Sequence, residues 1–270
     1  MQAAALILLA LLLLYLLALR CRSRHPKWAL LKAYRYAHRG YHDKPQIPEN
    51  SLPAFRRAIE HGWGAELDVH LLKDGTLAVF HDSALRRCAN VDGNIEDLTL
   101  EELRKLRLEG TDEPVPLFDE VLALFEHATP LIIELKTANG NHYALAKAVC
   151  ERLDRYEGEF CIESFDPFAV RDVRKLRPQI CRGQLSTRFT KQELPNALER
   201  FAAGNLLLNF LTVPDFIAYR FEDRRRLSPR LAVSLWGAQE VSWTLRSRED
   251  LRQAEAAGSI PIFETFDPEA

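Results

Sequence analysis

Short apolar runs alternate with stretches of helical periodicity along this chain, and that alternation restricts the fold more than any single motif. YAHR, GAELDV, LIIELK (131–136), FCIESF (160–165), ICRGQL (180–185), NLLLNF (205–210), VSWTL (241–245) and IPIFETF (260–266) read as strands, eight in all. Strands that alternate with helices predict a parallel sheet. Eight such units predict an α/β fold closed into a (β/α)8 barrel, whose functional residues gather at the C-terminal ends of the strands. About 240 residues follow the N-terminal apolar segment, enough for one such barrel.

The first nineteen residues, MQAAALILLALLLLYLLAL, contain no charged side chain, and Arg20, Arg22, Arg24, His25 and Lys27 follow at once. A secretory signal would carry its positive charge before the apolar stretch. The order seen here predicts one transmembrane helix, near the short end of the ~17–25 residues that span a bilayer. Residues 1–27 are therefore expected to be a membrane anchor with a basic juxtamembrane segment, and 28–270 a catalytic domain on the cytoplasmic side. The net charge of −2 gives no electrostatic footprint for nucleic acid. The five scattered cysteines fit a reducing compartment. Oligomeric state is not encoded in any feature of the sequence.

Residues 66–82, ELDVHLLKDGTLAVFHD, place Asp74-Gly75 between alternating runs, a strong hairpin signal. A two-residue loop there pairs Lys73 with Thr76 and sets Asp68 opposite His81, with Glu66 on the same face. The hairpin opens an insertion after the second strand, about 70–117, with a helix expected near Thr99–Leu106. The barrel rule then sorts the polar residues: His38 and Arg39 end one strand, Glu66 and Asp68 a second, Glu134 and Lys136 a third, and His81 returns to the same mouth.

Three crowded carboxylates repel unless a cation neutralises them, and oxygen-only ligands suit one divalent ion, Ca²⁺ or Mg²⁺. Arg39 and Lys136 beside that ion describe an anion site, with phosphate the common choice. Two histidines complete an acid/base pair for phosphodiester cleavage.

At this point AHRG (37–40), PENS (48–51), ELDVHLLKDGTLAVFHD, VPLFDEVL (115–122), IELK (133–136) and SF (164–165) together resemble the glycerophosphodiester phosphodiesterase family. The resemblance implies a TIM barrel with a segment inserted after strand two. It implies metal ligands at Glu66, Asp68 and Glu134, acid/base roles for His38 and His81, phosphate contacts from Arg39 and Lys136, and support by hydrogen bonding from Glu49. The substrate implied is a small glycerophosphodiester; a lysophospholipid is the alternative, through a lysophospholipase D or phospholipase C-like activity. A non-catalytic, membrane-tethered phospho-ligand-binding barrel is the other alternative. The family's W-T-V-N run stands here as Trp243-Thr244-Leu245-Arg246, and its closing G-I-I-T-D as IPIFETFDP. Trp243 is equally a glycerol-packing residue or a core tryptophan. His42, His61, His127 and His142 read as surface or loop histidines, His70 as a remote substrate contact at most, Asp82 as a turn cap, and Glu222–Arg226 as a solvated face.

Overall fold

A computed structural model describes residues 1–269. The strands are β1 (Tyr36–Ala37), β2 (Gly64–Leu71), β3 (Leu77–Val79), β4 (Leu131–Leu135), β5 (Phe160–Ser164), β6 (Arg182–Ser186), β7 (Phe216–Arg220), β8 (Gln239–Leu245) and β9 (Ile260–Phe263). All but β3 run parallel, and the pairings of β1 with both β2 and β9 close them into a barrel. The longer helices are α1 (Gln2–Ala18), α2 (Leu52–Glu60), α3 (Phe118–Phe125), α4 (His142–Leu153), α5 (Pro167–Leu176), α6 (Ala197–Gly204), α7 (Leu227–Trp236) and α8 (Arg248–Ala256).

Alternation along the strands builds two cores. On β2 and β4, Ala65, Leu67, Val69, Leu131, Ile133 and Leu135 face outward against the helices. Tyr36, Ile132, Cys161, Phe216, Val241 and Ile262 fill the lower interior, with Trp28 and Leu31 closing it from below. The remaining alternate positions of β2 and β4, Glu66, Asp68 and Glu134, are therefore interior too, one layer nearer the mouth.

Three expectations change. The strand expected at 205–210 is absent: Leu206 takes a positive φ of 58°, and a helical turn, Asn209–Thr212, follows. The barrel strand there is FIAYR, 216–220, which pairs with β6 and β8. The expected helix near 99–106 is one turn, Leu100–Leu103, though it carries the capping box of Thr99 and Glu102. The hairpin is also one residue out of the expected register: Leu71 faces Leu77, and Leu72 bonds across to Thr76. Gly75, at φ +87°, closes a three-residue loop in place of a two-residue one.

The N-terminal segment needs the largest correction. No helix among the described residues is long and apolar enough to cross a membrane. The 17 residues of α1 rise ~25 Å, short of a hydrocarbon core of ~30 Å. The chain after it is built into the barrel. Leu19 and Cys21 are buried against Ile217 and Tyr219, and the Trp236 indole donates to the Leu16 carbonyl. Arg22 grips Asp215 through both carboxylate oxygens, and Lys27 pairs with Glu159 at 2.6 Å. His25 is buried against the Gln179 carbonyl. Much of the basic cluster thus serves the barrel floor and is not a free juxtamembrane patch.

Asp215 has no exposed side-chain surface, and without Arg22 its charge is left with only the Arg182 backbone N–H and a guanidinium 4.0 Å away. Arg22→Ala is expected to cost roughly 3 kcal/mol, the lower end for a broken buried pair because Arg22 is partly exposed. Deleting residues 1–27 should be more damaging than deleting 1–14, because it also removes Leu19 and Cys21 from their cluster. Urea denaturation midpoints of the three proteins check this.

Candidate active site

The site starts from strand register. Asp68 on β2 stands beside Glu134 on β4, and Glu134 beside Glu163 on β5. With Glu66 two residues before Asp68, four carboxylates line the upper interior, all buried. One ligand oxygen each from Glu66, Asp68 and Glu134 falls within 4.8 Å of the others. Burial, then repulsion from neighbouring carboxylates, pushes Glu66 well above the usual carboxylate range; Glu163 moves the same way. Burial raises Glu134 also, despite Lys136. Asp68 goes the other way: burial opposes ionisation, but Lys136, His81 and Arg39 outweigh it. Its Oδ1 has no hydrogen-bond partner. A buried carboxylate cluster with an oxygen that accepts no hydrogen bond and has only the Lys136 charge at 3.4 Å has the donor set of a hard divalent cation. The groups Glu49–Cys88–Glu109 and His25–Cys181–Asp215 satisfy the same spacing, but each includes a soft thiol that burial holds protonated, a poor ligand for a hard cation.

The turn after β1 brings the first histidine to this layer. Arg39 sits at φ 56°, so its backbone N–H turns inward and donates to Glu66 Oε2 at 3.1 Å. Gly40 follows at φ +77°, where a Cβ would meet Ala54 at 2.9 Å. Ser51 caps α2 by accepting from the Ala54 N–H, and Asn50 donates to Asp68 at 2.8 Å. The AHRG and PENS motifs are thus a turn and a helix cap that fit together.

His38 directs Nε2 toward Glu66, 3.9 Å away, and its Nδ1 lies 2.6 Å from Glu264. Burial lowers His38 to about 4, although the Glu264 hydrogen bond opposes that shift. Glu264 is raised by burial, but His38 and Arg246 bring it down to about 2. Across the mouth, His81 Nδ1 lies 2.5 Å from Asp82, which also accepts from Arg87. Each imidazole is thus held at Nδ1 by its own carboxylate, which leaves Nε2 for the pocket.

The candidate metal, acid/base and phosphate residues of the sequence all lie at or beside this mouth. Arg39 reaches Asp68 at 3.5 Å and Glu49 at 2.9 Å. Lys136 reaches Glu134 at 2.9 Å and Asp68 at 3.4 Å. Glu49 also accepts from Arg87 and Lys44. Trp243 lines the pocket with its ring edge-on to Phe165, 5.5 Å between centroids. The pocket they line has a volume of about 140 Å³ and opens to the mouth. A larger recess of about 480 Å³ lies at the opposite end of the barrel beside Lys32, Arg35 and Gly258, far from the carboxylates.

Several roles were not visible in the sequence. Asp82 orients His81 and does not merely cap a turn, because the chain leaves the sheet after Val79. His81 is accordingly not cross-strand to Asp68; Phe80 is, through its N–H to the Asp68 carbonyl. His70 is buried and clamps Glu96 and the His81 carbonyl, so it supports the insertion and does not face substrate. His42 is only 8% exposed and sits 4.0 Å from Glu264, not on the surface. Glu264 and Glu163 carried no spacing signal; Glu264 was legible only as a departure in the closing strand.

Glu264→Gln should leave the fold intact and reduce kcat by roughly 10²-fold, within the range for disturbing a general acid or base, with a smaller change in KM. Glu264→Asp should restore part of the loss if the carboxylate orients His38. Steady-state kinetics on glycerophosphocholine, with thermal melts of each variant, check it.

Comparison with known proteins places this geometry. Residues 38–265 match the model of the glycerophosphoryl diester phosphodiesterase family. A glycerophosphodiester phosphodiesterase of Caldanaerobacter subterraneus is 32% identical over 88% of this chain and 96% of its own length. A human lysophospholipase D is 36% identical over 41% of this chain and 38% of its own. Among solved structures, a glycerophosphodiester phosphodiesterase from Thermotoga maritima superposes with a TM-score of 0.63 at 26% identity, covering 86% of this chain and 94% of that one. An Oleispira antarctica phosphodiesterase, solved with the product sn-glycerol-3-phosphate, shares the fold with a TM-score of 0.69 at 24% identity over 86% and 92%. The chain belongs to the glycerophosphoryl diester phosphodiesterase family and is a phosphoric diester hydrolase.

Proposed function

We propose that the protein hydrolyses small glycerophosphodiesters to glycerol 3-phosphate and an alcohol, using one divalent cation, Ca²⁺ or Mg²⁺, and two histidines. The observation that carries this reading is the buried layer of Glu66, Asp68 and Glu134 between His38 and His81, each imidazole backed by a carboxylate. Glu66, Asp68 and Glu134 would hold the ion, which when bound supplies charge stabilisation to the phosphoryl oxygens. Lys136 and Arg39 face the same oxygens, Arg39 kept in place by Glu49. In the net reaction one imidazole takes a proton from the water whose oxygen bonds to phosphorus, and the other protonates the alkoxide as its P–O bond breaks, leaving glycerol 3-phosphate and the free alcohol. The cavity of about 140 Å³ favours a glycerol-sized group over an acyl chain. The product bound by the Oleispira phosphodiesterase supports that choice. The lysophospholipase D alternative draws on the human relative and on the aromatic wall of Phe165 and Trp243.

We further propose that α1 attaches the barrel to a membrane from the cytoplasmic side through its uniformly apolar surface. Its leucines are exposed and uncharged over three turns, and the five buried cysteines are all free thiols, which suits a reducing compartment.

Three substrates separate these readings: glycerophosphocholine, glycerophosphoethanolamine and lysophosphatidylcholine, with the position of phosphate release identified. Chelation is expected to abolish turnover of the first two, and Ca²⁺ or Mg²⁺ to restore it; full activity after exhaustive chelation would remove the metal role. Glu134→Gln should weaken metal binding in titration calorimetry without unfolding the barrel. His38→Ala and His81→Ala should each lower kcat by roughly 10²–10⁴-fold. Near-wild-type turnover by either variant would rule that residue out as acid or base.

A further inference from the structure

A second hollow, of about 270 Å³, takes no part in this chemistry. It lies just past the C-terminal end of β6, between the following segment and α6, and its wall includes Arg188, Arg200, Arg226, Phe189 and Phe201. Arg200 donates to the Leu194 and Pro195 carbonyls. Arg226 donates to the Gly204 carbonyl, the Tyr219 hydroxyl and the Asn205 side chain. These partners are neutral, and no carboxylate ion pair to any of the three arginines is found among the described residues. Asp223 accepts from the Arg188 backbone N–H and pairs with Arg220. Three arginines border one hollow, none of them paired through its guanidinium to a carboxylate among the described residues, and such a set can receive a phosphate-like anion.

The surroundings say where that anion is carried. Leu198 and Phe201 on α6 are 75% and 59% exposed, and Leu227 at the start of α7 is 65% exposed. The root of the apolar helix α1 is joined to the hollow by hydrogen bonds: Tyr15 Oη to Ser228 Oγ at 2.9 Å, Ser228 to Asn205 Oδ1 at 3.1 Å, and Arg226 to the same oxygen at 3.4 Å. Exposed apolar side chains beside unpaired arginines are the composition of a surface that enters the bilayer interface and binds anionic headgroups. We propose that this face seats on an anionic lipid bilayer, with the arginine hollow taking the phosphate of an acidic phospholipid headgroup. The seat also orients the enzyme. Phe189 packs on Phe165, and Phe165 on Trp243 in the catalytic wall, so the barrel mouth opens beside the lipid surface.

The proposal rests on attachment through α1 for its location, but lipid selectivity tests it separately from attachment and from turnover. Full-length protein is mixed with vesicles of phosphatidylcholine, with and without phosphatidylglycerol, and co-flotation is measured. Wild-type protein should bind the phosphatidylglycerol vesicles roughly tenfold or more tightly. Arg188→Gln/Arg200→Gln should lose that preference while keeping its binding to phosphatidylcholine and its turnover of soluble glycerophosphocholine. Leu198→Ser/Phe201→Ser should weaken binding to both vesicles, which serves if the arginine variant fails to fold. Equal wild-type binding to both vesicle types would overturn the headgroup site and leave attachment standing. A preference retained by a folded double arginine variant would also overturn it. Binding to neither vesicle type would overturn both the site and attachment.

Discussion

The site depends on one constraint, the lateral register that sets Asp68, Glu134 and Glu163 side by side inside a closed barrel. A one-residue slip in any of these pairings would turn its carboxylate outward into the helix-facing core, because side chains alternate along a strand. The cluster is costly where it stands. Buried carboxylates this close disfavour ionisation, and the fold offsets that only partly through Lys136, Arg39 and Asn50. Apolar cores beneath and outside the layer, with the Trp28 and Leu31 floor below, hold the strands against that repulsion.

The two histidines differ in their second partners. An imidazole stands on each side of the mouth, but the supporting carboxylates come from unrelated places, the closing strand for His38 and the next residue for His81. Arg246 couples to Glu264 and Arg87 to Asp82, so each pair ends in an arginine near the rim. This layout leaves Nε2 of each ring toward the pocket and fixes which nitrogen is held. The insertion serves the same end: its small core around Phe80, Leu85 and Ile95, with His70 bridging Glu96 to the His81 carbonyl, keeps the second histidine over the barrel.

The N-terminal segment has two parts. Its apolar helix has exposed leucines over most of its length, while the residues directly after it close the barrel floor through Arg22, His25, Lys27 and Trp28. The exposed apolar helix and the folded barrel are therefore directly joined, and the boundary between them falls near Leu19.

Alternating strands and helices by themselves determined the barrel and its mouth, because a parallel sheet of that length has few other closures. The same alternation determined that Glu66 and Asp68 share a face, as Glu134 and Lys136 do. Local chemistry also determined the Ser51 cap and the Thr99 capping box. What the sequence did not determine was which of two neighbouring apolar runs became β7: NLLLNF is the more apolar, but FIAYR is the one with partners on both sides. It did not determine the Glu264 role, since a carboxylate 226 residues from His38 in the chain has no spacing signature, nor that of Asp82, since strand alternation puts it on the face opposite His81 until the chain leaves the sheet after Val79. Nor did it determine the fate of the basic cluster, which reads as a juxtamembrane patch until Asp215 and Glu159 are seen beneath it. Periodicity is local and survives in the sequence; pairing between distant segments is decided only when the barrel closes and burial makes each charge find its partner.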